Sequence, residues 1–182
     1  MSKSTIATHR IYTGKTISLD VDQVRFPNGS TGELEMVRHP GASAIVPFLT
    51  DPDGEDPQLL LIRQYRYAAD RYLYEIPAGK LDPNETPAAC AARELREETG
   101  CTAAHIEQLY TMYTTPGFTD EQIHIFMATG LTRGPAATEA DEFLEVQTMT
   151  MSRALAMIQQ GEIQDAKTAL GILYVAGFKA GT

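Results

Sequence analysis

Apolar residues recur in short runs along most of the chain, and clusters of Gly, Pro and Asp separate these runs. Short apolar runs bounded by turn-forming residues are typical of β-strands in a buried sheet. Two helices are expected near the C-terminus, one from Ser152 to near Gly161 and one capped by Asp165 and running to about Phe178. The predicted strands of a mixed sheet are residues 44–49, 59–65, 72–76, 106–113, 123–127 and 144–149.

The first 39 residues have a different pattern, with short polar-rich segments punctuated by glycine. Pro27, Asn28 and Gly29 form a sequence that is typical of a turn between two antiparallel strands. Because so small and polar a sheet cannot bury a core of its own, it needs the surface of the main domain or of a second subunit. We therefore predict a small N-terminal β subdomain over residues 1–39 and a main domain over residues 40–182.

A further helix is predicted between two strong capping signals. Thr86 is a suitable N-cap, Pro87 a suitable first helical residue, and Gly100 a suitable residue just beyond the C-terminal end. These signals predict a helix from residue 87 to about residue 99.

This helix carries three glutamates whose spacing is i, i+3 and i+4, namely Glu94, Glu97 and Glu98. Neighbouring like charges on a helix cost about 0.2–0.5 kcal/mol per pair. The glutamates form either a solvated acidic face, in which Arg93 and Glu97 are an ordinary ion pair, or the ligands of a divalent cation. Mg²⁺ prefers hard carboxylate oxygens and commonly lies between protein carboxylates and substrate phosphates.

The amino-acid composition narrows the classes of protein to which this chain can belong. A chain of 182 residues, 43% hydrophobic and 21% charged, is suited to one globular domain with at most a small appendage. Its net charge of −9 disfavours nucleic acid and membrane surfaces as partners. The chain has no long apolar run and no apolar core in its first ten residues, so we expect neither a spanning helix nor a secretory signal. Cys90 and Cys101 are too few for a disulfide framework, which favours the cytoplasm.

The acidic helix is part of a longer motif that begins at a glycine before it. The motif is Gly, five residues, Glu, seven residues, Arg-Glu, an aliphatic, any residue, Glu-Glu, any residue and Gly, and it resembles the signature of the Nudix hydrolases. Cys101 stands where the family usually has a final aliphatic residue, which is a mild departure. Such a match at fixed spacing is very unlikely to arise by coincidence. The positions filled in register are Gly79, Glu85, Arg93, Glu94, Leu95, Glu97, Glu98 and Gly100.

The resemblance implies an α/β fold, the Nudix α/β/α sandwich with a mixed β-sheet, and an enzyme that hydrolyses a diphosphate linked to another moiety. Mg²⁺ is the expected cofactor, with Mn²⁺ as a possible substitute.

Each motif position also has a physical role in this interpretation. Gly79 lets the backbone turn tightly after a strand, and the carbonyl of Ala78 can complete a cation's coordination shell. Glu94 and Glu98, one helical turn apart, are the best metal ligands, and Glu97 is a bridging or second-cation ligand. The remaining pair, Arg93 and Glu85, is expected to form an ion pair that joins the loop to the helix.

Four segments outside the motif resemble the ADP-ribose pyrophosphatase branch of the family, namely residues 61–67, 74–79, 114–121 and 165–168. The third of them includes Pro116, a proline that members of this branch carry about fifteen residues beyond the motif. The resemblance implies hydrolysis of a nucleoside diphosphate sugar, with ADP-ribose giving AMP and ribose 5-phosphate. Another nucleotide sugar, such as GDP-mannose or ADP-glucose, is an alternative, as is a non-catalytic ADP-ribose sensor. A homodimer is usual in this branch, so the N-terminal subdomain is expected to contribute to dimerisation and to substrate contacts.

Four residues have side chains suited to a nucleoside diphosphate sugar. Arg66 suits a phosphate or the face of a base, Tyr65 and Phe118 offer flat apolar surfaces, and Glu75 suits a sugar hydroxyl. Structural alternatives stay open, because Arg66 is also typical of a charged strand end and Tyr65 of cross-strand packing.

A second acidic group, at residues 138–143, precedes the last predicted strand. Family members place a catalytic glutamate in this loop, where it can deprotonate the attacking water, and such a base must be separate from the metal ligands. Glu142 is the first candidate for this general base and Glu139 the second, since relatives often carry two glutamates two residues apart whereas this chain has Ala140 and Glu142.

Overall fold

The protein is described by a computed structural model that covers residues 4–134 and 144–179. The described chain divides into two compact units. The first, called the N-terminal unit, comprises residues 4–41 and 112–123. The second, called the central unit, comprises residues 42–111, 124–134 and 144–179. The division of function between residues 1–39 and 40–182 stays a prediction.

The N-terminal unit contains a three-stranded antiparallel sheet in the order β1 (Thr5–Thr13), β2 (Ser18–Arg25) and β3 (Thr31–Arg38). The predicted turn is confirmed, because Phe26 N donates to Ser30 O at 2.8 Å and Gly29 adopts a φ of 86° between β2 and β3. Ion pairs link two strands of this sheet. Arg38 pairs with the buried carboxylates of Asp20 and Asp22 on β2.

The central unit is built from two sheets and three α-helices. One sheet has the strand order β10-β5-β6 and the other β7-β4-β9-β8, so the predicted α/β class is confirmed. β8 and β9 extend by two residues each into the N-terminal unit. The elements are β4 (Ala42–Pro47), β5 (Gln58–Arg66), a 3₁₀ turn (Tyr67–Ala69), β6 (Arg71–Glu75), β7 (Ala78–Lys80), α1 (Pro87–Thr99), β8 (Cys101–Tyr113), β9 (Gln122–Arg133), β10 (Leu144–Thr150), α2 (Met151–Gln159), α3 (Ala166–Tyr174) and a π-helical turn (Val175–Lys179).

Helix α1 has the predicted boundaries because both of its ends are capped as expected. The Thr86 hydroxyl accepts from Ala89 N at 3.3 Å, and Gly100 adopts a left-handed φ of 70°. Its narrow apolar stripe packs into the core through Ala91 and Leu95, both fully buried against residues of β4, β5 and β9. Glu94 and Glu98 lie beside this stripe and are buried with it, so the packing of α1 places their carboxylates inside the central unit.

Two sequence predictions near the C-terminus need correction. Helix α2 is capped by Thr150, whose hydroxyl accepts from Arg153 N, whereas the predicted cap, Ser152, hydrogen bonds through its hydroxyl to Asp56 at 2.8 Å. The last α-helix begins after Asp165 as predicted but ends at Tyr174, and the chain continues as the π-helical turn. Within the described ranges, no helix has the length and hydropathy needed to cross a membrane.

Candidate functional site

A cavity of about 210 Å³ in the central unit is formed where β7 meets the acidic face of α1. Strand β7 contributes Ala78 and Gly79, and α1 contributes Glu94 and Glu97. The fold therefore brings most of the predicted motif residues to one place. The full lining is Ala78, Gly79, Lys80, Asp82, Arg93, Glu94 and Glu97.

Gly79 is in close contact with the carboxylate of Glu94. A Cβ atom built on Gly79 would lie 1.8 Å from Glu94 Oε1 and 2.2 Å from its Cδ. The carboxylate therefore occupies the space that any larger residue at position 79 would fill. Gly79 lies within β7, paired with Ser43, so the predicted role in a tight turn was wrong, and the close approach of this carboxylate explains the glycine.

Glu98 joins α1 to the same strand. Its side chain is almost fully buried, with the residue 2% exposed, and its Oε2 accepts a hydrogen bond from Ala78 N at 2.9 Å. Glu94 is also buried, whereas the side chain of Glu97 is 27% exposed. Buried carboxylates need polar partners, so the Ala78 backbone and Glu98 hold each other in place.

Arg93 lies at the centre of the acidic cluster. Its Nε and Nη2 donate to the two oxygens of Glu85, each at 2.9 Å, so the pair is bidentate. Its Nη1 donates to Glu94 Oε1 at 2.6 Å and to Glu97 Oε2 at 3.0 Å, while Nη2 also donates to Lys80 O at 3.1 Å. The sequence indicated the pairing of Arg93 with Glu85 or Glu97, but not that one guanidinium binds all three carboxylates. This arrangement offsets the repulsion between neighbouring glutamates.

The carboxylates at this cavity are chemically suited to a divalent cation, and in this structure Arg93 holds two of them, those of Glu94 and Glu97. Across residues 4–134 and 144–179, no three His, Cys, Asp or Glu side chains are grouped as a metal site requires. Arg93 Nη1 binds one oxygen of Glu94 and one of Glu97. An ionised carboxylate can accept at several lone-pair positions, and carboxylate oxygens are the ligands that Mg²⁺ prefers.

The ion pair with Arg93 predicts a specific pH dependence of stability. Hydrogen bonds from Arg93 lower the pKa of Glu85 from its ordinary value of 4.5 to about 2. A carboxyl with a lowered folded-state pKa stabilises the protein at pH values above the unfolded-state pKa, and this contribution is lost as pH falls towards 2. We expect the difference in free energy of unfolding between wild type and Glu85→Gln to be constant above about pH 5 and to shrink below it.

Urea unfolding at a series of pH values measures this difference. Glu162→Gln is the control, because Glu162 forms an exposed ion pair with Arg153. Such a pair contributes little to stability at any pH. A Glu85→Gln difference that stayed constant down to about pH 2 would contradict the prediction.

A second charged cluster joins the ends of β5 and β6 to α3. Both oxygens of Glu75 accept from Arg66, at 2.6 and 2.7 Å, and Oε2 also accepts from Lys167 Nζ. Burial raises the pKa of Glu75, but the hydrogen bonds and charges of Arg66 and Lys167 outweigh it, so the pKa lies below its ordinary value. Sequence reasoning missed Lys167, although the similarity of residues 165–168 to the pyrophosphatase branch was a usable signal.

The other predicted substrate residues are partly exposed. Tyr65 donates its hydroxyl to Asp70 at 2.8 Å and packs edge-to-face on Tyr72, with ring centroids 5.6 Å apart. Phe118 belongs to the N-terminal unit and is 53% exposed. Arg66, with a side chain 40% exposed, reaches solvent, whereas Glu75 is 1% exposed. The two candidates for the general base, Glu139 and Glu142, lie outside the described residues.

This chain is similar to known proteins in both its sequence and its fold. The ADP-ribose pyrophosphatase of Bacillus subtilis (strain 168) is 40% identical over 177 residues, covering 96% of this chain and 93% of that protein. The methanol dehydrogenase activator of Bacillus methanolicus is 38% identical over 175 residues, covering 95% and 92%. A crystal structure described as an ADP compounds hydrolase has a similar fold, with a TM-score of 0.82 at 19% identity, and covers 100% of this chain and 96% of its own. The sequence profile of the NUDIX domain matches residues 39–169, and the chain therefore belongs to the Nudix family.

Proposed function

We propose that this Nudix pyrophosphohydrolase cleaves the pyrophosphate bond of nucleoside diphosphate sugars, with ADP-ribose giving AMP and ribose 5-phosphate. The observation that carries the proposal is the convergence of Glu94 and Glu97 with Ala78 and Gly79 around one cavity, to which Glu98 is joined through Ala78 N. The similarity to the B. subtilis ADP-ribose pyrophosphatase extends over 96% of this chain, which supports the choice of substrate.

Mg²⁺ is the proposed cofactor, held by Glu94, Glu97, Glu98 and the Ala78 carbonyl, and Mn²⁺ would substitute because it accepts the same oxygen ligands. When bound, the cation supplies charge neutralisation for the pyrophosphate and a lowered pKa for a coordinated water. Because Arg93 stays anchored to Glu85, it orients Glu94 and Glu97 towards the cavity. Glu142, or alternatively Glu139, takes the proton of the attacking water.

Arg66 is the proposed phosphate-binding residue, and Tyr65 and Phe118 are proposed to contact the base through their flat faces. The 40% exposure of the Arg66 side chain suits a ligand that arrives from solvent. Glu75 is fully buried and its oxygens accept from Arg66 and Lys167, so direct contact with a sugar hydroxyl would require it to be uncovered. We therefore propose that Glu75 serves the substrate by orienting Arg66.

A substrate panel tests this function. We expect ADP-ribose to have the highest kcat/KM among ADP-ribose, ADP-glucose and GDP-mannose, measured by phosphate release after phosphatase treatment. Removal of divalent cations with EDTA should abolish turnover, and Mg²⁺ or Mn²⁺ should restore it. A higher kcat/KM for GDP-mannose or ADP-glucose would change the assigned substrate, and binding of ADP-ribose without turnover would favour a sensor.

A homodimer is the proposed assembly, formed through the N-terminal subdomain of residues 1–39. All nine residues of β1 are exposed, and they include the large apolar side chains of Ile6, Ile11 and Tyr12. A second copy of the chain would cover this apolar surface. Light scattering should then give twice the chain mass of 20.0 kDa, and a monomeric mass would contradict the dimer.

The cytoplasm is the proposed location. Cys90 and Cys101 are both free and buried, as expected in a reducing compartment. The net charge of −9 disfavours nucleic acid and membrane surfaces as partners.

A further inference from the structure

Glu75 is a buried carboxylate with two cationic partners. Its side chain is 2% exposed, and it accepts two hydrogen bonds from Arg66 and a third from Lys167. One cation is enough to compensate one carboxylate, and burying a further charged side chain is costly. Lys167 also lies against Asp165, so this cluster holds two cations and two carboxylates, and Glu75 would keep one cationic partner if Arg66 moved away.

The two cations differ in how firmly they are held. Lys167 has a side chain only 11% exposed, and its Nζ also lies 3.0 Å from Asp165 Oδ2. The side chain of Arg66 is 40% exposed and lies at the end of β5. Lys167 is thus enclosed, whereas Arg66 faces solvent on one side.

The first turn of α3 fixes Lys167 relative to Glu75. Asp165 caps this helix by accepting from both the backbone N and the hydroxyl of Thr168, at 3.0 and 2.6 Å. The same Thr168 hydroxyl accepts from Ile76 N at 2.9 Å, so the residue after Glu75 is tied to the helix that carries Lys167. These bonds fix the start of α3, and with it Lys167, beside the strand end that carries Glu75.

We propose that Lys167 is a positioning residue: as the permanent counter-ion of Glu75, it lets Arg66 move from that carboxylate to a phosphate oxygen of the substrate. Without Lys167, this movement would leave a buried carboxylate unpaired, which is strongly unfavourable. With Lys167 in place, Glu75 remains paired whether or not Arg66 binds phosphate. The identity of the phosphate ligand, ADP-ribose, rests on the proposed function.

A double-mutant cycle tests this proposal with wild type, Lys167→Met, Glu75→Gln and the double variant. Calorimetry without metal gives the Kd for ADP-ribose, and kinetics with Mg²⁺ give KM and kcat. Lys167→Met should raise Kd and KM by about tenfold and change kcat by less than about threefold, because Arg66 is then retained by Glu75. The double variant should return Kd to within about threefold of wild type, because no carboxylate retains Arg66.

If Lys167 has a purely structural role, the double variant should bind ADP-ribose at least as weakly as Lys167→Met does. That result would overturn the proposal. Lys167→Arg should restore near wild-type Kd. The matched control is Arg153→Met, which removes one partner of an exposed ion pair and should leave Kd unchanged. If Lys167→Met does not fold, the double variant still tests the proposal, because Glu75→Gln removes the buried negative charge that needs Lys167. A Kd raised tenfold or more in the double variant would overturn the proposal.

The same measurements separate this inference from the proposed function. Wild-type hydrolysis of ADP-ribose without recovery in the double variant would overturn the role of Lys167 alone. Recovery of Kd in the double variant, with no hydrolysis by wild type in Mg²⁺, would support that role and contradict the enzymatic assignment.

Discussion

Replacing Glu98 by Gln is expected to lower kcat for ADP-ribose by about a hundredfold or more while leaving the fold intact. The amide oxygen of the new side chain can still accept from Ala78 N, so the buried contact between α1 and β7 survives. What is lost is the negative charge that a metal ligand requires. Steady-state kinetics across Mg²⁺ concentrations measure the effect, and thermal unfolding checks that the fold is retained.

Glu162→Gln is the matched control, since Glu162 is exposed and bonded to Arg153 away from the cavity. Its kcat should equal that of wild type. Normal turnover by Glu98→Gln at saturating Mg²⁺ would remove Glu98 from the metal site, whatever the other glutamates do.

Gly79→Ala is expected to lower kcat/KM by about a hundredfold with only a small loss of stability. The new Cβ would meet Glu94 Oε1 at 1.8 Å, so the carboxylate must leave its present position. A glutamate side chain can rotate away at modest cost, and we expect a loss of about 1 kcal/mol in the free energy of unfolding. Because Glu94 is a proposed ligand, its displacement should also weaken Mg²⁺ binding measured by calorimetry.

Gly177→Ala serves as the control for the glycine substitution. A Cβ at position 177 meets nothing within 4 Å, so this variant should keep wild-type activity and Mg²⁺ affinity. The prediction for Gly79 fails if Gly79→Ala binds Mg²⁺ and turns over ADP-ribose as wild type does.

Local signals explain why much of the fold and the acidic helix could be predicted. The boundaries of α1 follow from Thr86, Pro87 and Gly100, whose preferences act on the nearest backbone groups. Prediction failed at α2, where Thr150 and Ser152 are both plausible caps. Asp56, distant in sequence, accepts from the backbone N and the hydroxyl of Ser152, and this leaves Thr150 as the cap.

By itself the sequence determined that Glu94, Glu97 and Glu98 share one face of a capped helix, because helical periodicity depends only on residues a few positions apart. Only the tertiary structure decided what those glutamates contact: the backbone of Ala78, the missing side chain of Gly79 and the guanidinium of Arg93. The same is true of Lys167, which meets Glu75 across 92 residues of sequence. Such contacts depend on how buried strands and helices pack, and that packing sets which distant charges become neighbours.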